Sequence, residues 1–213
     1  MSKLITTSLI GSIDWLKNCP NSWKQKAYGS LKNMLNRVWS TPGLAAQRGI
    51  DFENHVYRIL SLDANIEMVD CSEKFMEVLR NCEGGKFQQK NKSFITVDGI
   101  EYCLYGKEDV TFPDRIIDIK TTSKYKEHKY KNSFQHKIYL HNTKKKHFIY
   151  IVVIFPDVDS NEIQEIKYIE IVIDTLQLAE YKIDIINKIK EIKKFFDDMP
   201  ELCKLYNTKY SRY

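Results

Sequence analysis

Two aspartates and a lysine near the middle of the chain are spaced for metal-assisted chemistry. The stretch from Glu101 to Thr122 reads Glu-Tyr-Cys-Leu-Tyr-Gly-Lys-Glu-Asp-Val-Thr-Phe-Pro-Asp-Arg-Ile-Ile-Asp-Ile-Lys-Thr-Thr, two apolar-alternating runs about a Pro-Asp turn, which is a hairpin signal. With the turn centred on Pro113 and Asp114, Asp109 falls opposite Asp118, their Cβ atoms about 5 Å apart. Two carboxylates so close repel, and burying either one unpaired is costly, so the pair calls for a cation between them. Oxygen ligands suit a hard divalent ion. Period 2 along the second strand turns Asp118 and Lys120 to one face and Ile117 and Ile119 to the other. Lys120 is then placed to orient or deprotonate a water and to stabilise charge on a phosphate.

Two helical segments flank the hairpin. Ser40-Thr41-Pro42 is a helix start, and Gly43 to Leu60 carries Phe52, Val56, Ile59 and Leu60 on one stripe. Glu53 sits at the inward edge of that stripe, as a salt-bridge partner or a ligand. Downstream, Ser133 caps a predicted helix to about Leu140, which sets Gln135 and Tyr139 one turn apart on one face. The segment from Lys124 to His147 concentrates lysines interleaved with Tyr125, Tyr130 and Phe134. Most of those lysines read as a solvated face, with one or two in contact with phosphates. His128, His136 and His141 recur there without a carboxylate or cysteine cluster, so zinc is not expected.

Asp109 followed by Asp118-Ile119-Lys120-Thr121-Thr122 resembles the motif of the PD-(D/E)XK nucleases, in the branch that holds RecB-like nuclease domains and phage lambda-type exonucleases. Arg48-Gly49-Ile50-Asp51-Phe52-Glu53 is similar to the Gly-x-x-x-(Glu or His) helix that precedes the metal hairpin in that branch, and Gln135-x-x-x-Tyr139 to its downstream motif. The resemblance spans Gln47 to Ile154. It implies a magnesium-dependent or manganese-dependent deoxyribonuclease, an exonuclease acting on DNA ends in recombination or repair, with a phage among its candidate sources. Under it Asp109, Asp118, the Ile119 carbonyl and Glu53 hold one or two ions, Lys120 serves the attacking water, and Gln135, Tyr139, Arg48 and Thr122 contact DNA. A sequence-specific or structure-specific endonuclease, such as a restriction enzyme or junction resolvase, and a non-catalytic nucleic-acid-binding module remain as alternatives. DNA is the implied partner; a homo-oligomer and a single-strand annealing or binding protein stay open.

The order of predicted elements indicates an α/β (α+β) domain, with a mixed central sheet containing an antiparallel meander and flanked by helices; the resemblance makes this a restriction-endonuclease-like core. Residues 1–40 read as an N-terminal helical arm, 41–200 as the nuclease core and 201–213 as a basic, mobile tail. Across 213 residues the formal charge is +5, which a lysine-rich surface explains as well as nucleic-acid binding does. Five scattered cysteines without a Cys-x-x-Cys pair indicate neither a disulfide framework nor a zinc knuckle. One late cysteine does not match the cysteine set of the cluster-bearing relatives, so no iron–sulfur cluster is expected. The absence of an apolar run near 20 residues argues against a membrane span, and the chain reads as cytoplasmic, in the host cytoplasm if viral.

Asp114 is the literal Pro-Asp of the motif name, yet at the apex of the hairpin it reads as a turn former. Asp114→Ala should therefore keep DNA cleavage near the unsubstituted rate while Asp109→Ala loses it, compared side by side on linear DNA with Mg²⁺.

Overall fold

The computed structural model describes residues 2–61, 72–157 and 159–211; Cys71 lies outside them. A six-stranded mixed sheet forms the centre, built from β1 (Lys3–Thr6), β2 (Lys86–Val97), β3 (Ile100–Thr111), β4 (Arg115–Thr122), β5 (His147–Ile154) and β6 (Glu165–Val172). The order is β1-β3-β4-β5-β6, with β2 along the other edge of β3. The helices are α1 (Thr7–Asn18), α2 (Asn21–Leu35), α3 (Leu44–Ser61), α4 (Glu73–Cys82), α5 (Glu127–Lys131), α6 (Phe134–Thr143), α7 (Thr175–Asp197) and α8 (Pro200–Leu205).

The turn chemistry of the sequence sets the meander. Asp98 (φ 49°) and Gly99 (φ 76°) supply the left-handed pair that a two-residue hairpin needs, and β2 and β3 then run in one register from Val97↔Ile100 to Lys86↔Thr111. At the second turn the Phe112 amide donates to the Arg115 carbonyl at 2.9 Å. Val110 faces Ile117 and Thr111 faces Ile116, as the Pro113–Asp114 turn predicts, and there the β3–β4 ladder ends. Further along, β1 runs parallel to β3 (Lys3↔Tyr102 to Thr6↔Tyr105), while β4 pairs in parallel with β5 along its whole length. The two strands therefore fork just where the aspartates lie.

Each face of the sheet carries its own core. On one side Ile117, Ile119, Ile151 and Val153 pack against Val56 and Ile59 of α3 and Phe75, Val78 and Leu79 of α4. On the other, Leu104, Ile116, Phe148 and Tyr150 meet α1, α2, α6, α7 and α8. The apolar run of β5 is buried on both faces for this reason. In α1, Leu9, Ile10, Ile13 and Leu16 are buried at helical spacing, each contributing about 1.5–3 kcal/mol. Asp174 and Gln177 form a reciprocal cap that starts α7. Leu176, in the first turn of that helix, is 69% exposed.

Both ends of the chain correct the expected division. Residues 1–40 are not an appended arm: Lys3–Thr6 is a strand of the central sheet, and α1 and α2 belong to the larger core. Nor are residues 201–211 a loose tail. Leu202, Tyr206 and Tyr210 are buried, Tyr206 donates to the Leu4 carbonyl at 2.9 Å, and the Tyr210 hydroxyl meets Thr6 Oγ1 at 2.8 Å. Arg37 enters the left-handed region (φ 58°) after α2 and donates to the carbonyls of Lys209 and Tyr210. Aromatic residues scattered without periodicity carry these contacts, so the pattern of the sequence did not announce them.

His136 and His141 are buried on α6, His136 Nδ1 lying 3.2 Å from the Tyr150 hydroxyl. Burial, with Lys137 beside His136 and Lys144 and Lys182 near His141, pulls both imidazoles down to about 4. An unfolded histidine titrates near 6.5, so between those values the unfolded chain binds more protons, and stability falls as pH drops through this window. Each histidine should cost about 3 kcal/mol by pH 4. Urea unfolding at pH 7, 5.5 and 4.5 should show a clearly shallower loss in the double variant His136→Gln/His141→Gln; an identical slope in both proteins would refute the assignment.

Candidate active site

Where β3 and β4 separate, backbone groups lose their ladder partners and side chains take over. Asp109 Oδ2 accepts from the Ile119 amide at 2.9 Å, which ties its carboxylate to β4 next to Asp118. The Asp118 side chain is 0% exposed. Its Oδ1 accepts from Gln135 Nε2 at 2.6 Å, and its Oδ2 pairs with the Lys120 ammonium. Burial lifts the Asp118 carboxyl well above the ordinary carboxylate range; Lys120 opposes that lift and Asp109 adds to it. For Lys120 burial works against the charge, but Asp118 and Asp109 outweigh it and hold the ammonium above the usual lysine range. The lysine side chain remains 35% exposed, so its ammonium reaches solvent while the Asp118 carboxylate does not.

Glu53 reaches the same place from α3. A Cβ at Gly49 would stand 2.9 Å from Thr121 Oγ1, so the glycine lets α3 lie close on β4, and Glu53 follows one turn later on the same face. Burial raises the Glu53 carboxyl and Asp109 raises it further, against the Gln88 amide, Lys120 and Lys107. Gln88 Nε2 donates to Glu53 Oε1. This glutamine was missed in the sequence, although the Asp98–Gly99 turn that pairs Phe87 with Val110 and Gln89 with Glu108 sets it directly across from Asp109.

The third wall is α6. Ser133 Oγ accepts from the Gln135 amide at 3.1 Å, which starts the helix so that Gln135 faces Asp118. Tyr139, one turn on, donates to the Lys107 carbonyl at 2.9 Å and lies 3.4 Å from Gln135 Nε2. Burial, with Asp118 near by, pushes its phenol up to about 12, so it stays neutral. Only 4% exposed, Tyr139 anchors α6 to β3. The sequence reading had it facing the DNA backbone.

No family model and no curated protein matches the sequence. Solved structures do. A putative exonuclease from Eubacterium rectale aligns over 97% of this chain and 82% of its own, at 14% identity and a TM-score of 0.53. The chain shares the fold of that structure. An alkaline exonuclease from Laribacter hongkongensis (13% identity, 94% and 93% covered, TM-score 0.49) and a phage related exonuclease from Haemophilus somnus (15% identity, 94% and 96% covered, TM-score 0.49) are similar over nearly their whole lengths.

Within this fold the geometry brings together Asp109, Asp118, Lys120, Glu53, Gln135 and Tyr139. Two other candidates stand apart. The Arg48 guanidinium stacks 4.2 Å over the Phe155 ring and donates to the Asp157 carbonyl, beside a separate cavity between α3, α4 and the loop after β5. Thr122 Oγ1 accepts from the Lys124 amide at 3.0 Å and donates to the Lys124 carbonyl, so its hydroxyl holds a turn. Beside Lys120 and Gln135 opens a cavity of about 520 Å³, also lined by Thr7, Ser8, Asp14, Lys129 and Asn132. Its α1 residues come from the segment expected to form an N-terminal arm.

The side chains gathered here offer carboxylate oxygens, the donor class that hard divalent ions take. Among the described residues no group of three histidine, cysteine or acidic side chains is poised as a ready cage. The candidate is instead the facing Asp109–Asp118 pair, with Glu53 near by. An all-oxygen donor set suits magnesium or manganese better than zinc.

Gly106 permits the close approach of Tyr139 to β3, since a Cβ there would lie 2.4 Å from the ring. Gly106→Ala should force the ring outward, cost about 1–3 kcal/mol in chemical denaturation and reduce DNA cleavage. A variant with the melting curve and cleavage rate of the unsubstituted protein would show that this contact positions nothing.

Proposed function

We propose that the chain is a metal-dependent deoxyribonuclease, and specifically an exonuclease that acts on DNA ends in recombination or repair. The observation that supports this best is the pair of carboxylates at the strand fork, one of them fully buried, with a solvent-reaching ammonium against it. A buried ion pair adds little to stability compared with apolar packing, so its presence favours a chemical role.

Asp109, Asp118 and the main-chain carbonyl of Ile119 would hold Mg²⁺ or Mn²⁺, with Glu53 completing the set or holding the attacking water. Such an ion, when bound, lowers the pKa of that water and offsets charge on the phosphoryl oxygens. The chain's own groups do the rest. Lys120, held protonated by its acidic neighbours, donates hydrogen bonds that orient the water and stabilise the anionic phosphate, a role for a cation more than for a base. Gln135 keeps Asp118 in place through Oδ1, and Tyr139 holds Gln135's helix to β3. The cavity beside Lys120 receives the nucleotide next to the scissile bond, with Lys129 on its wall. Water adds to phosphorus as the bond to the 3′ oxygen breaks, leaving a 5′-phosphate on one product and a 3′-hydroxyl on the other.

End-labelled linear DNA and covalently closed circular DNA, each with Mg²⁺ and with EDTA, test this reading. The linear substrate should be degraded only with the metal, and the circle should survive. Asp118→Ala and Lys120→Ala should lower the rate by at least about 10²-fold with unchanged circular dichroism. Full activity in Asp118→Ala would end the nuclease reading; cutting of the circle would move it to an endonuclease.

A further inference from the structure

We infer that Gln88 is a positioning residue of the candidate metal centre, holding Glu53 toward Asp109 through a side-chain amide delivered from a strained point on β2. The inference rests on the nuclease reading above and adds to it a group from a strand that the motif does not include.

Three observations carry it. Gln88 has φ 53°, a left-handed conformation that costs an ordinary residue energy and is kept in strands only where the surroundings enforce it. Among the described residues the other non-glycine positive φ values fall at Arg37, Asp98 and Lys144, which end a helix, make a hairpin turn and cap a helix. Gln88 alone of these lies inside a strand, without any such turn to explain it. The ladder is intact on both sides, with Phe87 opposite Val110 and Gln89 opposite Glu108, so the distortion is confined to the one position that faces Asp109. Lastly, the side chain that this local kink redirects is spent on one partner: Gln88 Nε2 donates to Glu53 Oε1.

A carboxylate that binds a metal has two oxygens, and a donor fixed on one of them decides how the other is presented. Glu53 arrives on a helix from one side of the sheet and Asp109 on a strand of it, so nothing in either element alone sets their mutual orientation. Gln88 bridges the two: its backbone is the cross-strand neighbour of Asp109 and its amide holds Glu53. An amide suits this place because it donates without adding charge. A lysine would compete with the metal, and an acid would repel both carboxylates. Partners of this kind, in contact with ligands but not with the ion, affect metal affinity about 10–100-fold.

The test uses Gln88→Asn and Gln88→Gly in the full chain. Asparagine tolerates a left-handed backbone but is one methylene too short for Glu53, and glycine removes the strain along with the amide. Mn²⁺ affinity is read by titration calorimetry, cleavage of linear DNA is read against Mg²⁺ concentration, and the melting temperature is read without metal. Both variants should bind Mn²⁺ at least tenfold more weakly and need correspondingly more Mg²⁺ for half-maximal cleavage, while Gln88→Gly melts no lower than the unsubstituted protein. Affinity unchanged in Gln88→Asn overturns the role for Gln88 and leaves the nuclease reading standing. Metal affinity that falls only in step with a lowered melting temperature in both variants also overturns it, as a loss of fold. An unsubstituted chain that takes up no Mn²⁺, or takes it up equally as Asp118→Ala, overturns both.

Discussion

The whole arrangement depends on a fork in the sheet. β3 and β4 leave a tight turn as antiparallel partners, hold together for two residue pairs, and then part: β3 goes on to pair with β1, while β4 keeps β5, its partner along the whole strand. A continuous ladder at this point would consume the amide of Ile119 in backbone pairing. Because the ladder stops, that amide is free to hold Asp109, and a carboxylate is drawn to the interior edge of β4 where Asp118 already points. The concentration of acid follows from the missing backbone partner.

Burial of such a pair has to be offset. Asp118 sits at the bottom of the fork with no exposure, in surroundings that disfavour its ionised form. Lys120 supplies one compensating charge and Gln135 one hydrogen bond. The rest of the carboxylate set, Asp109 and Glu53, makes the balance worse without a further cation. This is the opposite of what a stability-driven core would choose, given that well-packed apolar side chains replace buried ion pairs at little or no loss. The same logic separates this cluster from Glu108, which is equally buried but is held by neutral donors, Asn91 and Thr111; Asp118 instead stands against an ammonium and a second carboxylate.

How much of this could be read in the sequence varied with the range of the interaction. The Asp98–Gly99 and Pro113–Asp114 turns set two registers from local chemistry alone, and the faces of β4 followed from its period of 2; hence Asp109, Asp118 and Lys120 were legible together. Gln135 and Tyr139 were legible as a helical pair because Ser133 marked where α6 begins. Glu53 was visible by its spacing from Gly49, but the reason for that glycine, contact with Thr121, was not. Hidden altogether was β1, four residues long and too short to display alternation. Hidden too were the C-terminal tyrosines, whose burial depends on partners some 200 positions away in sequence. Gln88 lay between these cases: its place opposite Asp109 follows from the turn, while its backbone conformation and its reach to Glu53 do not.

The least legible parts turn out to govern the most specific feature. β1 occupies the edge of β3 that β4 vacates, and so it maintains the fork that a longer β3–β4 ladder would close. It can do so only if anchored, and four residues of parallel pairing are a weak anchor by themselves. The added hold comes from the other end of the chain: Tyr206 on the Leu4 carbonyl, Tyr210 on Thr6 and Arg37 on the carbonyls of Lys209 and Tyr210. Directly after β1, α1 places Thr7, Ser8 and Asp14 on the wall of the cavity beside Lys120. The first and last segments of the chain, peripheral in sequence, thus hold the fork open and shape the cavity beside it.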